Sequence, residues 1–237
     1  MPIGKNPRRL CFFVFLGWLA LVAPLLAQEP RYLAAGRPDP VALLAPPPLP
    51  GSAEQAADLA STIAVYKART PQDEAAAHAE KKFSIFTFAP AVGTFFQSGK
   101  LPKTTAFFER VSAETEAVTT VGKEFWKRPR PYVVEPSLGA GGAEMEKSFS
   151  YPSGHSTRAT VLALLLAELF PEKQEGILAI GRNIGWHRVQ TARHYPADIY
   201  AGRSLGQAIV RELKANPAFV SAFAEVKAEL QAAQRAD

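Results

Sequence analysis

Residues 151–170 read YPSGHSTRATVLALLLAELF. A proline and a glycine punctuate the start, and a strongly apolar helix follows from His155 to about residue 170. The run from Val161 to Ala167 is seven residues long and stops at Glu168, far short of a membrane span. Working outward, helical patterns continue over 173–192, 197–214 and 217–235. Upstream they cover 82–97 and 101–120, the latter ending near Gly122. Ser52 caps a further helix, with Glu54 and Asp58 near its positive end and Ala56, Leu59, Ile63 and Ala64 at three- and four-residue spacing. Thr70-Pro71 opens another over 72–80. No stretch alternates as a strand does and no Asn-Gly hairpin turn occurs, so the expected fold is all-α, in one domain without internal repeats.

The chain has 237 residues, 47% of them hydrophobic, enough for one well-buried core. Residues 1–27 read as a signal peptide: Lys5, Arg8 and Arg9 precede an apolar run from Leu10 to Leu26, and Ala27 offers a cleavage site. An uncleaved anchor is the alternative. That leader holds three cations and no acid, so cleavage lowers the formal charge from +5 to about +2. A nucleic-acid footprint is therefore not expected. The single cysteine, Cys11, lies in the leader, which suits an oxidising compartment, the periplasm or the medium. Residues 28–53 carry seven prolines and read as a Pro-rich arm, extended over the domain or toward a partner, with a homodimer allowed. Residues 54–237 are then the folded domain, and beyond the leader nothing reaches spanning length.

Three segments carry the chemistry. In Arg188–Asp198, RVQTARHYPAD, Pro196 starts a helix, so His194 sits just outside it and Asp198 in its first turn. Asp198 can fix one imidazole nitrogen and leave the other free to attack. Arg188 can fork onto two oxyanion oxygens. A surface histidine beside a capping aspartate fits the same trio. In Tyr151–His155, Gly154 permits close backbone approach, the helix start offers free amides, and Ser153 adds a hydroxyl. His155 then faces the same anion from the side opposite His194; a plain turn and N-cap is the other reading. In Lys123–Pro131, KEFWKRPRP, the prolines flanking Arg130 forbid helix there, so Lys123 comes from a helix end and Arg130 from extended chain. Lys127 and Arg128 lie between them, and a solvated basic run is the ordinary meaning of such a cluster. Phe83, Phe86, Phe88, Phe95, Phe96, Phe107 and Phe108 read as core, with a lining for a leaving-group pocket as the alternative.

In order and spacing the segments form Lys-x6-Arg-Pro, Pro-Ser-Gly-His and Arg-x5-His-x3-Asp. This resembles the type 2 phosphatidic acid phosphatase (PAP2) superfamily, which includes vanadium haloperoxidases, and most of all the bacterial class A non-specific acid phosphatases. One departure is His187, where the family usually has serine before the arginine. The resemblance implies a helical bundle of the acid phosphatase/vanadium haloperoxidase type. It also implies a secreted, metal-independent acid phosphatase, without cofactor, acting on small phosphomonoesters. His194 would form a phosphohistidine, Asp198 orient it, and His155 serve the leaving alcohol and then water. Lys123, Arg130, Arg188, Ser153 and the Gly154 amide would hold the phosphoryl oxygens. Three cations can supply the charge neutralisation such a transfer needs, each worth about 4 kcal/mol at 4 Å and a dielectric of 20. The opposed protonation demands on two imidazoles predict a bell-shaped pH profile with an acidic to near-neutral optimum. A vanadium haloperoxidase, a membrane lipid phosphatase and a phosphate-binding protein without turnover are the competing readings.

Overall fold

The computed structural model describes Met1, residues 31–139 and residues 146–237. The leader of the sequence reading lies outside the described residues. From Arg31 to Asp237 the chain is one compact unit. In chain order its helices are α1 (Pro40–Leu43), α2 (Ala53–Ala68), α3 (Pro71–Ala79), α4 (Ala89–Val92), α5 (Pro102–Trp126), α6 (Pro131–Val134), α7 (Gly154–Leu169), α8 (Gln174–Gln190), α9 (Pro196–Ala215) and α10 (Pro217–Ala236). No strand occurs among the described residues.

The central element is α7. Most of its apolar residues are buried, with Val161, Leu165 and Leu166 fully enclosed, because α8 and α9 cover one side and α5 another. The approach is close because small residues face each other. A Cβ on Gly181 would meet Ala163 at 2.7 Å, and one on Gly202 would meet the Ser153 carbonyl at 2.7 Å and the Ser156 Cβ at 2.9 Å. An aromatic cluster closes the core beside α5: Tyr32 and Phe107 each pack on Phe219 and on one another, and Phe223 packs on Phe107 and Phe219, with centroids 5.3–5.8 Å apart. Burying such a side chain contributes about 1.5–3 kcal/mol.

The described part of the Pro-rich arm lies on this bundle. The Tyr32 and Leu33 amides donate to the Glu114 carboxylate of α5 at 3.0 and 2.7 Å. The Tyr151 hydroxyl donates to the Ala45 carbonyl at 2.5 Å. Tyr32, Leu33 and Leu44 are buried, whereas Leu43 and Leu49 are exposed. The arm does contain one helical turn, α1, opened by Asp39 accepting from the Val41 amide.

Two expected boundaries are corrected. Helix α5 does not end near Gly122 but runs to Trp126, where Lys127 in the left-handed region (φ 47°) closes it. Gly122 sits inside that helix against Pro152, whose Cδ would lie 3.0 Å from a Cβ there, so close packing, not termination, accounts for it. The stretch 82–97 is not one helix. It is a 3-10 turn over Ile85–Phe88 followed by the single turn α4, which stops at Gly93 with φ 125°. Pro90 and Gly93 break it into turns that still bury Phe88 and Phe96.

Candidate active site

The third segment makes a sharp corner between α8 and α9. Pro196 begins α9, and Asp198 reaches back from its third position to accept the Tyr195 amide at 3.0 Å. His194 is thereby held just before the helix, with its Nδ1 3.2 Å from Asp198 Oδ2 and 3.3 Å from Ser150 Oγ. Ser150 also donates to Asp198 Oδ2 at 2.5 Å. With Nδ1 carrying the proton toward the carboxylate, Nε2 is left as the acceptor, 3.3 Å from Arg130 Nη1.

The second segment meets this corner through the backbone, where the Ser153 amide donates to the Asp198 carbonyl at 3.1 Å. Ser153 caps α7, its hydroxyl accepting from the Ser156 amide at 3.3 Å. His155 occupies the first turn of α7, its ring 5.7 Å from that of Phe83 and its Nε2 buried without a hydrogen-bond partner among the described residues.

The first segment supplies the cations. Lys123, at the end of α5, donates to the Phe149 carbonyl at 2.5 Å. Arg130 lies just before α6 and donates to the Ser148 carbonyl, Ser148 Oγ and the Arg193 carbonyl, each at 2.9 Å. Its remaining reach goes to the Glu146 carboxylate, an ion pair inside the site.

Lys123, Arg130, Gly154, His155 and His194 line one cavity of about 360 Å³, together with Glu116, Glu146, Arg158 and the stretch Lys81–Phe83. Ser153, Arg188 and Asp198 stand behind its wall, buried. Arg188 donates to the Ala77 carbonyl of α3 while its Nε has no partner among the described residues. All eight residues expected from the sequence therefore converge on one place, five on the surface of the cavity and three supporting it. Phe83 lines the cavity while also belonging to the core, Phe88, Phe95, Phe96, Phe107 and Phe108 are core alone, and Phe86 packs half-buried against it.

Arg128 is the residue whose reading changes. It is no solvated cation: 4% exposed, it donates to Asp198 Oδ1 at 2.6 Å, Asp58 Oδ2 at 2.7 Å and Gln55 Oε1 at 2.7 Å, and stacks 3.8 Å from the Tyr195 ring. Its partners on α2 lie 70 and 73 residues away in the chain, so no local pattern marks it. Glu116, Ser150 and Arg158 are likewise not among the expected residues; Ser150 and Arg158 lie within a turn of a motif residue, and Glu116 two turns of α5 before Lys123.

Burial and neighbouring charge set the protonation states. Burial pushes the Asp198 carboxyl up, but the His194 hydrogen bond, Arg128 and Ser150 overcome it and hold it at about 2. Burial and then Arg130 press His194 well below the usual imidazole range. Burial, Arg188 and Arg158 lower His155 to about 3. Lys123 falls to about 8, first through burial and then through Arg130. Burial and the surrounding cations therefore favour the neutral form of both imidazoles. His187 lies outside the cavity, its Nδ1 2.7 Å from Glu80 Oε2.

Residues 111–218 match the PAP2 superfamily. The chain is 31% identical over 147 residues to the non-specific acid phosphatase of Salmonella typhimurium, a match that covers 60% of this chain and 59% of that one. It is 28% identical over 246 residues to an acid phosphatase of Zymomonas mobilis, covering 97% and 92%. Among solved structures, the transmembrane PAP2 type phosphatidylglycerolphosphate phosphatase of Bacillus subtilis superposes with a TM-score of 0.50 at 22% identity, over 74% of this chain and 89% of that one, and so shares the fold. Among the described residues here, no helix is long and apolar enough to cross a membrane.

Proposed function

We propose that this chain, whose residues 111–218 match the PAP2 superfamily, is a member of that superfamily and an acid phosphatase that hydrolyses small phosphomonoesters through a phosphohistidine, without a metal. One observation carries the reading. His194 is held by Asp198 at Nδ1, and its Nε2 opens beside Arg130 onto the cavity that His155 also lines.

In the proposed reaction the phosphoryl oxygens lie on Lys123, Arg130 and the Gly154 amide, with Arg188 and Ser153 completing the cradle from its buried wall. His194 Nε2 attacks phosphorus, and the P–O bond to the alcohol breaks. His155 gives its proton to the leaving oxygen, and Asp198 stabilises the positive charge that develops on His194. His155, now neutral, then takes a proton from water as the oxygen attacks phosphorus and the P–N bond breaks. Phosphate and the original His194 are restored.

This sequence needs His155 protonated at the start, although burial, Arg188 and Arg158 lower it to about 3. A phosphate dianion supplies the missing stabilisation. One negative charge about 4 Å away favours the imidazolium by about 4 kcal/mol at a dielectric of 20, enough to bring His155 back toward the ordinary imidazole range. Substrate binding and proton uptake are thus coupled, which favours turnover in mild acid. The leader read over residues 1–27 suits a periplasmic or secreted enzyme.

The test is hydrolysis of p-nitrophenyl phosphate in EDTA from about pH 4 to 9, beside His194→Ala. The reading expects metal-independent turnover that peaks in acid and is lost in the variant. Turnover that survives the substitution means a different nucleophile.

A further inference from the structure

The cavity is more positive than one phosphoryl group requires. Five cations line it, Lys81, Lys82, Lys123, Arg130 and Arg158, against the carboxylates Glu116 and Glu146. Lys123 and Arg130 belong to the His194 end: Arg130 touches His194 Nε2, and both donate toward the Phe149 carbonyl. The other three gather around His155. Arg158 follows His155 by one turn of α7, about 4.5 Å along the axis. Its guanidinium lies 4.2 Å from the Phe83 ring, which itself packs on the His155 ring. Lys81 and Lys82 immediately precede Phe83 and line the same wall. Arg158 also keeps a buried Nε without a partner among the described residues, and Glu116 is the carboxylate whose charge acts on it.

In an in-line transfer to His194, the leaving oxygen points away from the attacking nitrogen, toward the proton donor. If that donor is His155, the leaving group extends past it, over Arg158 and Lys82. We propose that Arg158 and Lys82 form a second anion subsite on the leaving-group side, which makes the preferred substrates phosphate esters carrying a second phosphate a few ångströms from the scissile one. The direction of the leaving group rests on the function proposed above; the binding of two linked anions does not.

The experiment compares the affinities of propane-1,3-diyl bisphosphonate and propylphosphonate by calorimetry at low salt, in the full chain and in Arg158→Ala and Lys82→Ala. Lys82 is exposed, so its variant remains informative if Arg158→Ala fails to fold. The bisphosphonate is expected to bind at least about tenfold more tightly than the monophosphonate, an advantage reduced to about threefold or less in each variant. Equal affinities in the unaltered protein overturn the subsite. So does a parallel loss for both ligands in both variants, which marks these cations as merely structural. Hydrolysis of p-nitrophenyl phosphate, measured on the same preparations, tests the phosphatase reading separately. Turnover with equal phosphonate affinities refutes the subsite alone, whereas a bisphosphonate advantage without turnover refutes the reaction alone.

Discussion

Replacing Arg128 by methionine removes one guanidinium from between two carboxylates. Asp198 is fully buried and Asp58 nearly so, and each gives Arg128 a contact of 2.6–2.7 Å. Taking one partner out of such a buried pair costs about 3–5 kcal/mol, because the remaining charge keeps its desolvation penalty without its counterion. For a chain of this size that corresponds to a fall in Tm of roughly 6–20 °C. The two acids should not respond alike. Asp198 retains its bonds from Ser150 and the Tyr195 amide. Asp58, already pushed up by burial despite Arg128, retains only the Ala197 amide at 3.2 Å among its described partners on α9. Adding Asp58→Asn to Arg128→Met should therefore recover at least about 1 kcal/mol relative to additivity. Denaturant unfolding of the four proteins, with p-nitrophenyl phosphate hydrolysis alongside, reads both effects. In the unaltered protein the stability from the depressed Asp198 is present above its ordinary value of 3.8 and is lost as pH falls through about 2. Without Arg128 the folded value rises toward 3.8, so this contribution should be smaller and its loss complete at a higher pH. If Arg128→Met costs less than about 1 kcal/mol and leaves kcat/KM unchanged, Arg128 does not hold Asp198 and the argument fails.

Glu146→Gln removes a carboxylate that competes with any anion for Arg130. Inorganic phosphate should inhibit about three- to tenfold more strongly in that variant, and weaker inhibition would exclude the competition. The free protein should lose stability as pH falls below the ordinary imidazole value of 6.5. Both His155 and His194 have depressed folded values, so the unfolded chain binds more protons between those values and 6.5. The slope is up to about 1.4 kcal/mol per pH unit for each imidazole, and phosphate should reduce it by raising His155; a Tm independent of pH from about 6.5 to 4.5, with and without phosphate, would contradict this. Gly202→Ala should cost about 1–3 kcal/mol and lower kcat as well, because its methyl group would press on the Ser153 carbonyl. A variant with full stability would show that α7 and α9 separate easily.

Much of this was legible beforehand where local chemistry decides. The helices expected over 155–170, 197–214 and 217–235 lie within a residue or so of α7, α9 and α10, because Ser153, Pro196 and Pro217 fix their starts. The motif residues around the cavity stood out by their joint spacing and the resemblance it carries, since Lys123 and Arg188 lie inside α5 and α8 and no local cap or corner marks them. What was not legible depends on contacts made after folding. Gly122 looks like a stop until Pro152 packs on it. Arg128 looks like a surface cation until Asp58 and Gln55 arrive from another helix. The stretch 82–97 has the composition of a buried helix, but Pro90 and Gly93 permit only turns. Arg158 and Glu116 belong to no motif, and only the shape of the cavity identifies them.

The bond from the Ser153 amide to the Asp198 carbonyl joins the two imidazole-bearing segments at their backbones. Arg130, donating to the Ser148 and Arg193 carbonyls, ties in the third. The site is thus clamped at the tips of its segments, and the polypeptide between the tips bears little of its geometry. Insertions around the turn from Pro171 to Gln174 should alter chain length without moving a reacting atom. A substitution within one of the tips displaces the other two with it. Variation in length is therefore inexpensive here, and variation in spacing inside the three short segments is not.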